Sequence, residues 1–212
     1  MNQKMIENTE KLVEYDKVVF EKYGFFCGID EAGRGPLCGP IVVASCIMPL
    51  ESDKIVYGIN DSKKLSEKKR EELFEKIVAT AIDYHIEEVS EKVIDEINIL
   101  EATKLGMKYC IDRLNQKPNL ALIDAVKNID SKIQQIAIVK GDATSYSIAA
   151  ASILAKVYRD RLMKKLDEKY PEYHIAKHKG YGTKEHIELL KKYGPSDIHR
   201  KSFIKNFVDI KK

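Results

Sequence analysis

Apolar residues at Ile6, Leu12, Val13, Val19 and Phe20 recur at broadly helical intervals, which predicts a packing helix over residues 4–22 within an N-terminal segment 1–24. After Gly24 the pattern changes: FFCGID reads as a buried strand, EAGRGPLCGP as a glycine-rich loop, and IVVASCIM as a second strand rich in β-branched residues. Two strands joined by a polar loop predict a hairpin-like start. In NDSKKLSEKKREELFEKIVAT, Ser66 carries a helix-start signal, and Leu73, Phe74, Ile77 and Val78 form one apolar stripe. AIDYHIEEVS returns to a strand pattern.

A helical pattern then covers about residues 91–115, followed by two short strands, LALIDA and IQQIAIVKG. Residues 144–169 are rich in alanine and straight-chain side chains, which favour a helix. Shorter helices are expected at about 183–193 and 203–210. Strands come first, helices crowd the second half, and no repeat or low-complexity linker intervenes, which predicts one mixed α/β layer structure.

Composition sets the scale. A chain of 212 residues with 44% hydrophobic content can bury one substantial core, so residues 1–212 are expected to form a single domain, with about 170–212 as its helical C-terminal part. No segment approaches the roughly 18 to 20 uninterrupted apolar residues of a membrane span, and MNQKMIENTEKLVEYDK lacks the order of a secretion signal, so a cytoplasmic location away from membranes is expected. Absence of heptads or exposed apolar runs favours a monomer. Cys27, Cys38, Cys46 and Cys110 show no C-x-x-C spacing and read as reduced, mostly buried thiols.

The formal charge of +3 is too small to diagnose a nucleic-acid partner. Its distribution says more. In the last quarter Lys177, Lys179, Lys184, Lys191, Lys192, Arg200, Lys201 and Lys205 are interleaved with Tyr173, Tyr181 and Tyr193, which reads either as a duplex-binding footprint or as a solvated helical surface.

Four acids stand at predicted strand ends: Asp30 and Glu31 before the glycine-rich loop, Asp124 closing ALID, and Asp142 after QIAIVKG. Each alone reads as a turn residue or helix cap. Converging on one sheet, however, they would repel one another unless cations neutralised them, so a metal site is the natural inference. Hard oxygen ligands favour Mg²⁺ or Mn²⁺, and a pair of such ions can activate water on one side of a phosphodiester and stabilise the leaving oxygen on the other. No HExxH is present, and His174, His178 and His186 read as surface or substrate-facing groups rather than a zinc site.

GIDEAGRGPLCGPIVVA, NDSKKLS, KGDATSYSIAAASILAKVYRD, HKGYGTKEH and IHRKSF, in this order from about Gly28 to Phe203, resemble the bacterial ribonuclease HII family. The resemblance implies a ribonuclease H-like fold, a central mixed sheet flanked by helices with a helical C-terminal part. It also implies endonucleolytic cleavage of RNA within RNA/DNA duplexes, including the 5′ side of ribonucleotides embedded in duplex DNA, leaving 5′-phosphate and 3′-hydroxyl ends. By motif position the metal-binding catalytic acids are Asp30, Glu31, Asp124 and Asp142. Gly33, Arg34 and Gly35 would sense the 2′-hydroxyl, and Tyr181 would pack on the sugar beside the ribonucleotide. Lys63, Lys64, Ser145 and Ser147 are expected phosphate contacts.

Three departures from the family pattern concern loop geometry: Cys38 where alanine is frequent, His174 and Ile175 where glycine and an aromatic are common, and Ala125 after Asp124 in place of a frequent glycine. An exposed Cys38 would make the site sensitive to oxidation. Two other readings remain open at this point. A junction resolvase of the same fold would use similar acids without needing a 2′-hydroxyl, and a non-catalytic nucleic-acid binding module would use the basic C-terminal segment.

Overall fold

The computed structural model describes residues 3–209. Five strands form one mixed sheet in the order β3-β2-β1-β4-β5. β1 (Phe26–Ala32) and β2 (Ile41–Ile47) form the expected antiparallel pair, and β3 (Asp83–Val89) extends it on the far side of β2. β4 (Leu120–Asp124) and β5 (Gln134–Ile138) continue the sheet in parallel to β1.

Both faces of the centre are covered, which explains why β2 is buried at every position and apolar at all but Ser45 instead of alternating. Val42, Ala44 and Cys46 face a core shared with Leu12 and Val13 of α1 (Gln3–Tyr23), Leu73, Phe74 and Ile77 of α2 (Glu67–Thr80), and the alanine-rich α4 (Tyr146–Lys169). Val43 and Ile47 point the other way, into a core with Met107, Cys110 and Ile111 of α3 (Glu91–Asp112). Gly28 lets α4 dock directly on β1: a Cβ there would lie 2.2 Å from the Ile148 amide nitrogen. The helix that follows Asp142 is thereby pressed against the strand that carries Asp30.

Helix starts follow the capping chemistry. Ser66 accepts from the Lys69 amide at the head of α2, and Ser145 accepts from the Ile148 amide at the head of α4, interactions worth ~1 kcal/mol each. The long pattern at 91–115 is not one continuous helix. Asn98 adopts φ 67° and interrupts α3, while its Oδ1 accepts from the amides of Leu100 at 2.9 Å and Glu101 at 3.2 Å, so that one side chain both ends one helical segment and caps the next.

The C-terminal part contains short helices α5 (Ile175–His178) and α7 (Lys201–Ile204) around the longer α6 (Lys184–Tyr193). The helix expected at 203–210 is therefore replaced by a single turn at 201–204, and residue 210 lies outside the described residues. The reason is positional: Ile204 is buried beside Leu37 and Leu190, and the chain continues past it in turns. No helix among the described residues is long and apolar enough to cross a membrane.

Candidate active site

Asp30 and Glu31 lie inside β1, not beyond its end, because β1 keeps its pairing with β2 through Ala32. In the parallel pair β1/β4, Ile29 is level with Ile123, so the next residues, Asp30 and Asp124, come level at the edge of the paired region. Asp142 is also displaced from a strand end: it sits in a one-turn 3₁₀ helix, Gly141–Ala143, between β5 and α4. The Gly141 amide donates to Asp124 Oδ1 at 2.7 Å and fastens that turn to β4. Lys63 Nζ lies 3.8 Å from Asp142 Oδ2, bringing the NDSKK segment to the rim of the same cluster. Asp61, also in that segment, is close enough to Asp142 to raise its pKa, an acid whose proximity the sequence alone did not signal.

The cluster is strained electrostatically. Burial, then the Glu31 charge, hold Asp30 well above the usual carboxylate range, while Ser152 pulls it the other way. Burial raises Glu31 to about 7 despite the opposing charge of Arg34, whose Nη1 lies 3.5 Å from Glu31 Oε1. Asp142 is raised as well, by burial first and by Asp61 second. Glu31 Oε2 is buried without a hydrogen-bond partner. An all-oxygen donor set with an orphaned carboxylate oxygen and mutually repelling acids fits a hard divalent cation, which would stabilise the charged forms.

Beside the acids, the Gly33–Gly35 loop and Tyr181 form one surface. A Cβ at Gly35 would lie 3.7 Å from the Tyr181 ring, and Tyr181 is 45% exposed. Arg34 is also partly exposed. Lys63 and Lys64 both project into solvent, with Lys64 3.8 Å from Asp61.

The family model for ribonuclease HII matches residues 27–206, from the first residues of β1 through the last short helix. The chain belongs to the ribonuclease HII family. It is 53% identical over 195 residues to the ribonuclease HII of Caldicellulosiruptor bescii, covering 92% of this chain and 94% of that one. Among solved structures it resembles the ribonuclease H2 of Pyrococcus horikoshii, at 30% identity and a TM-score of 0.71, over 84% of this chain and 93% of that one. The ribonuclease HII of Archaeoglobus fulgidus, solved in complex with PCNA, matches at 31% identity and a TM-score of 0.73, over 88% and 98%. The ribonuclease H-like fold and membership of a family of metal-dependent endonucleases follow.

Other expected site residues of this chain are placed differently. Ser145 and Ser147 are fully buried: the Ser145 hydroxyl accepts from the Ile148 amide at the head of α4, the Ser147 hydroxyl is enclosed without a hydrogen-bond partner, and the Ser147 amide donates to Asp16 Oδ2 at 2.8 Å, so neither hydroxyl is exposed to a phosphate. Burial raises the Asp16 carboxyl of α1 to about 6, while both serines pull it down.

The histidines also depart from expectation. His174 is exposed and pairs with Glu185, but His178 and His186 are buried and stack at 4.3 Å. His199, which the sequence reading passed over, is buried with them. Cys38 Sγ and ring nitrogens of His186 and His199 come within 4.8 Å of one another, but each imidazole is hydrogen-bonded on both nitrogens. The guanidiniums of Arg159 and Arg200, both buried beside Cys38, oppose a cation there.

Cys38 itself is fully buried and burial pushes its thiol up to about 12, so it is not the exposed, oxidisable group the sequence allowed. Within the basic C-terminal stretch, Arg200 and Tyr173 are buried and cannot belong to a duplex-binding surface.

Proposed function

We propose that this enzyme cleaves the RNA strand of RNA/DNA hybrids and cuts on the 5′ side of ribonucleotides embedded in duplex DNA, leaving 5′-phosphate and 3′-hydroxyl ends. The observation that carries the reading is the meeting of Asp30, Asp124 and the Gly141–Ala143 turn beside the surface formed by Gly35 and Tyr181. On this reading the carboxylates and the loop that senses the ribonucleotide act on one phosphodiester.

Asp30, Glu31, Asp124 and Asp142 would hold two Mg²⁺ or Mn²⁺ ions, which supply a more acidic water and charge neutralisation at the phosphate. The protein's own groups do the rest. Gly33, Arg34 and Gly35 engage the 2′-hydroxyl, whose donor and acceptor distinguish RNA from DNA. Tyr181 packs against the adjoining sugar, and Lys63 offsets negative charge at the rim, where Asp142, Asp30, Asp61 and Asp124 all raise its pKa against the opposing effect of burial. Hydrolysis adds water oxygen to phosphorus and breaks the bond to O3′, which leaves with a proton. The exposed lysines of the C-terminal part hold the duplex backbone with strong salt dependence. The enzyme acts as a monomeric, cytoplasmic single domain on this reading.

The test is a labelled DNA duplex containing one ribonucleotide, incubated with Mg²⁺, Mn²⁺ or EDTA beside an all-DNA control. A metal-dependent cut 5′ to the ribonucleotide, absent from the control, is the expected result. Equal cutting of the all-DNA duplex would replace the reading with that of a general DNA nuclease.

A further inference from the structure

Arg200 and its neighbour His199 stand behind the proposed recognition surface and address both of its halves. The Arg200 guanidinium is fully buried, and no carboxylate among the described residues forms an ion pair with it. Its donors go instead to backbone carbonyls of the loop between β1 and β2: Nη2 to Gly33 at 2.7 Å, Nη1 to Arg34 at 3.0 Å and Nε to Gly39 at 2.9 Å. Main-chain bonds reinforce the join, with the Arg200 amide donating to the Leu37 carbonyl at 2.9 Å and the Gly39 amide to Ile198 at 2.8 Å.

His199 reaches the other half through His186. The Ser196 amide donates to His199 Nδ1 at 3.1 Å, so that nitrogen carries no proton and Nε2 does. His199 Nε2 then donates to His186 Nε2 at 3.2 Å, and His186 Nδ1 donates to the Tyr181 carbonyl at 3.0 Å. Every proton in this relay points toward Tyr181. The Leu37 amide, which donates to the Gly180 carbonyl at 2.8 Å, ties the two halves together directly.

A guanidinium without a counter-ion is costly to bury, and burial drives Arg200 down to about 9. The three carbonyls it satisfies offset part of that cost but do not by themselves call for a guanidinium. Geometry does: a planar fork fixes several carbonyls at once, which an ammonium cannot. Fixing the Gly33 and Arg34 carbonyls inward fixes the orientation of the peptide planes that meet the substrate.

We propose that His199 and Arg200 are positioning residues for ribonucleotide recognition, Arg200 setting the backbone of Gly33 and Arg34 and His199, through His186, setting that of Tyr181. This rests on the reading of Gly33–Gly35 and Tyr181 as the recognition surface. One dipeptide thus holds the 2′-hydroxyl sensor and the sugar platform in a single register.

The test compares wild type, Arg200→Lys, His199→Leu and His199→Gln on the duplex with one ribonucleotide, measuring kcat, duplex Kd, Mn²⁺ affinity and Tm. Arg200→Lys keeps the charge but loses the fork; His199→Gln keeps a donor near Nε2, whereas His199→Leu does not. Arg200→Lys and His199→Leu are expected to lose about 100-fold in kcat with Kd and Mn²⁺ affinity within about threefold, and His199→Gln to recover most of that loss. Wild-type kcat in Arg200→Lys overturns the inference while leaving the recognition reading intact. Loss of Mn²⁺ binding in step with kcat also overturns it, because that marks a general structural role. A wild-type enzyme that ignores the single ribonucleotide overturns the recognition reading and this inference together.

Discussion

Gly35 and Tyr181 are in contact range, with a Cβ at Gly35 falling 3.7 Å from Cε1 of the tyrosine ring, although they lie far apart in the sequence. That spacing is an ordinary van der Waals contact, so the loop backbone at Gly35 runs directly alongside the ring. The surface proposed for recognition is therefore built by tertiary contact, not by either motif alone.

Tyr181→Ala is expected to raise KM for a duplex carrying one ribonucleotide roughly tenfold, in line with aromatic packing worth ~1–3 kcal/mol at a nucleotide. The ring is too exposed for its removal to unfold the protein. Steady-state cleavage beside a thermal melt checks both halves of the statement, and a collapse of Tm with unchanged KM would mark the tyrosine as core.

Ala125 and His174, two places where the sequence departs from the family pattern, both adopt left-handed backbone, with φ of 54° and 52°. That conformation crowds a Cβ against the backbone at a cost of ~1–2 kcal/mol, which glycine avoids. Ala125→Gly should stabilise the protein by about 1 kcal/mol after the added freedom of the unfolded chain is offset. A shift of the urea midpoint to higher concentration at constant slope checks it; a lower midpoint would show that the Ala125 methyl makes a packing contribution exceeding the strain.

Burial first, and then repulsion from His186, depress His199 to about 4, and burial lowers His178 and His186 as well. Arg159 and Arg200 are buried beside Cys38, next to the same cluster. The folded pKa lies below the ordinary value of about 6.5, so the unfolded chain binds protons that the folded chain refuses. The stability His199 contributes is full above about pH 6.5 and is lost as pH falls toward about 4, on the order of 3 kcal/mol in all. Urea unfolding of wild type and His199→Gln at pH 7, 6 and 5 should show the wild type losing more stability across that window. Parallel loss in both proteins would contradict it.

How much of this was legible in the sequence depends on whether a residue's role is local. Ser66 and the strand run IVVASCIM announced themselves because caps and β-branched runs act through neighbours in the chain. The four acids were legible as a set, and the structure brings Asp30, Asp124 and the Asp142 turn together as that set required. Asn98 was not legible as a break, since its side chain merely replaces lost helical bonds with local ones.

Least legible were the buried polar residues. Arg200 looked like one more cation in a basic stretch, and Ser147 like a phosphate ligand, because polarity predicts exposure unless a partner distant in sequence is known. Their partners, Gly33 and Arg34 for Arg200 and Asp16 for Ser147, lie far along the chain. The IHRKSF block gave a signal of importance without showing that its His and Arg face inward.

If the four carboxylates hold the cations on which cleavage depends, Asp30→Asn removes one of their charges and with it the reaction. Asp30 is buried at the middle of the cluster, and the isosteric amide removes its charge while keeping its shape. Single-turnover cleavage of the one-ribonucleotide duplex, measured with Mn²⁺ titration and duplex binding on the same preparation, should fall by about 10³-fold or more, with weakened Mn²⁺ affinity and nearly unchanged duplex affinity. Cleavage at the wild-type rate would contradict the account.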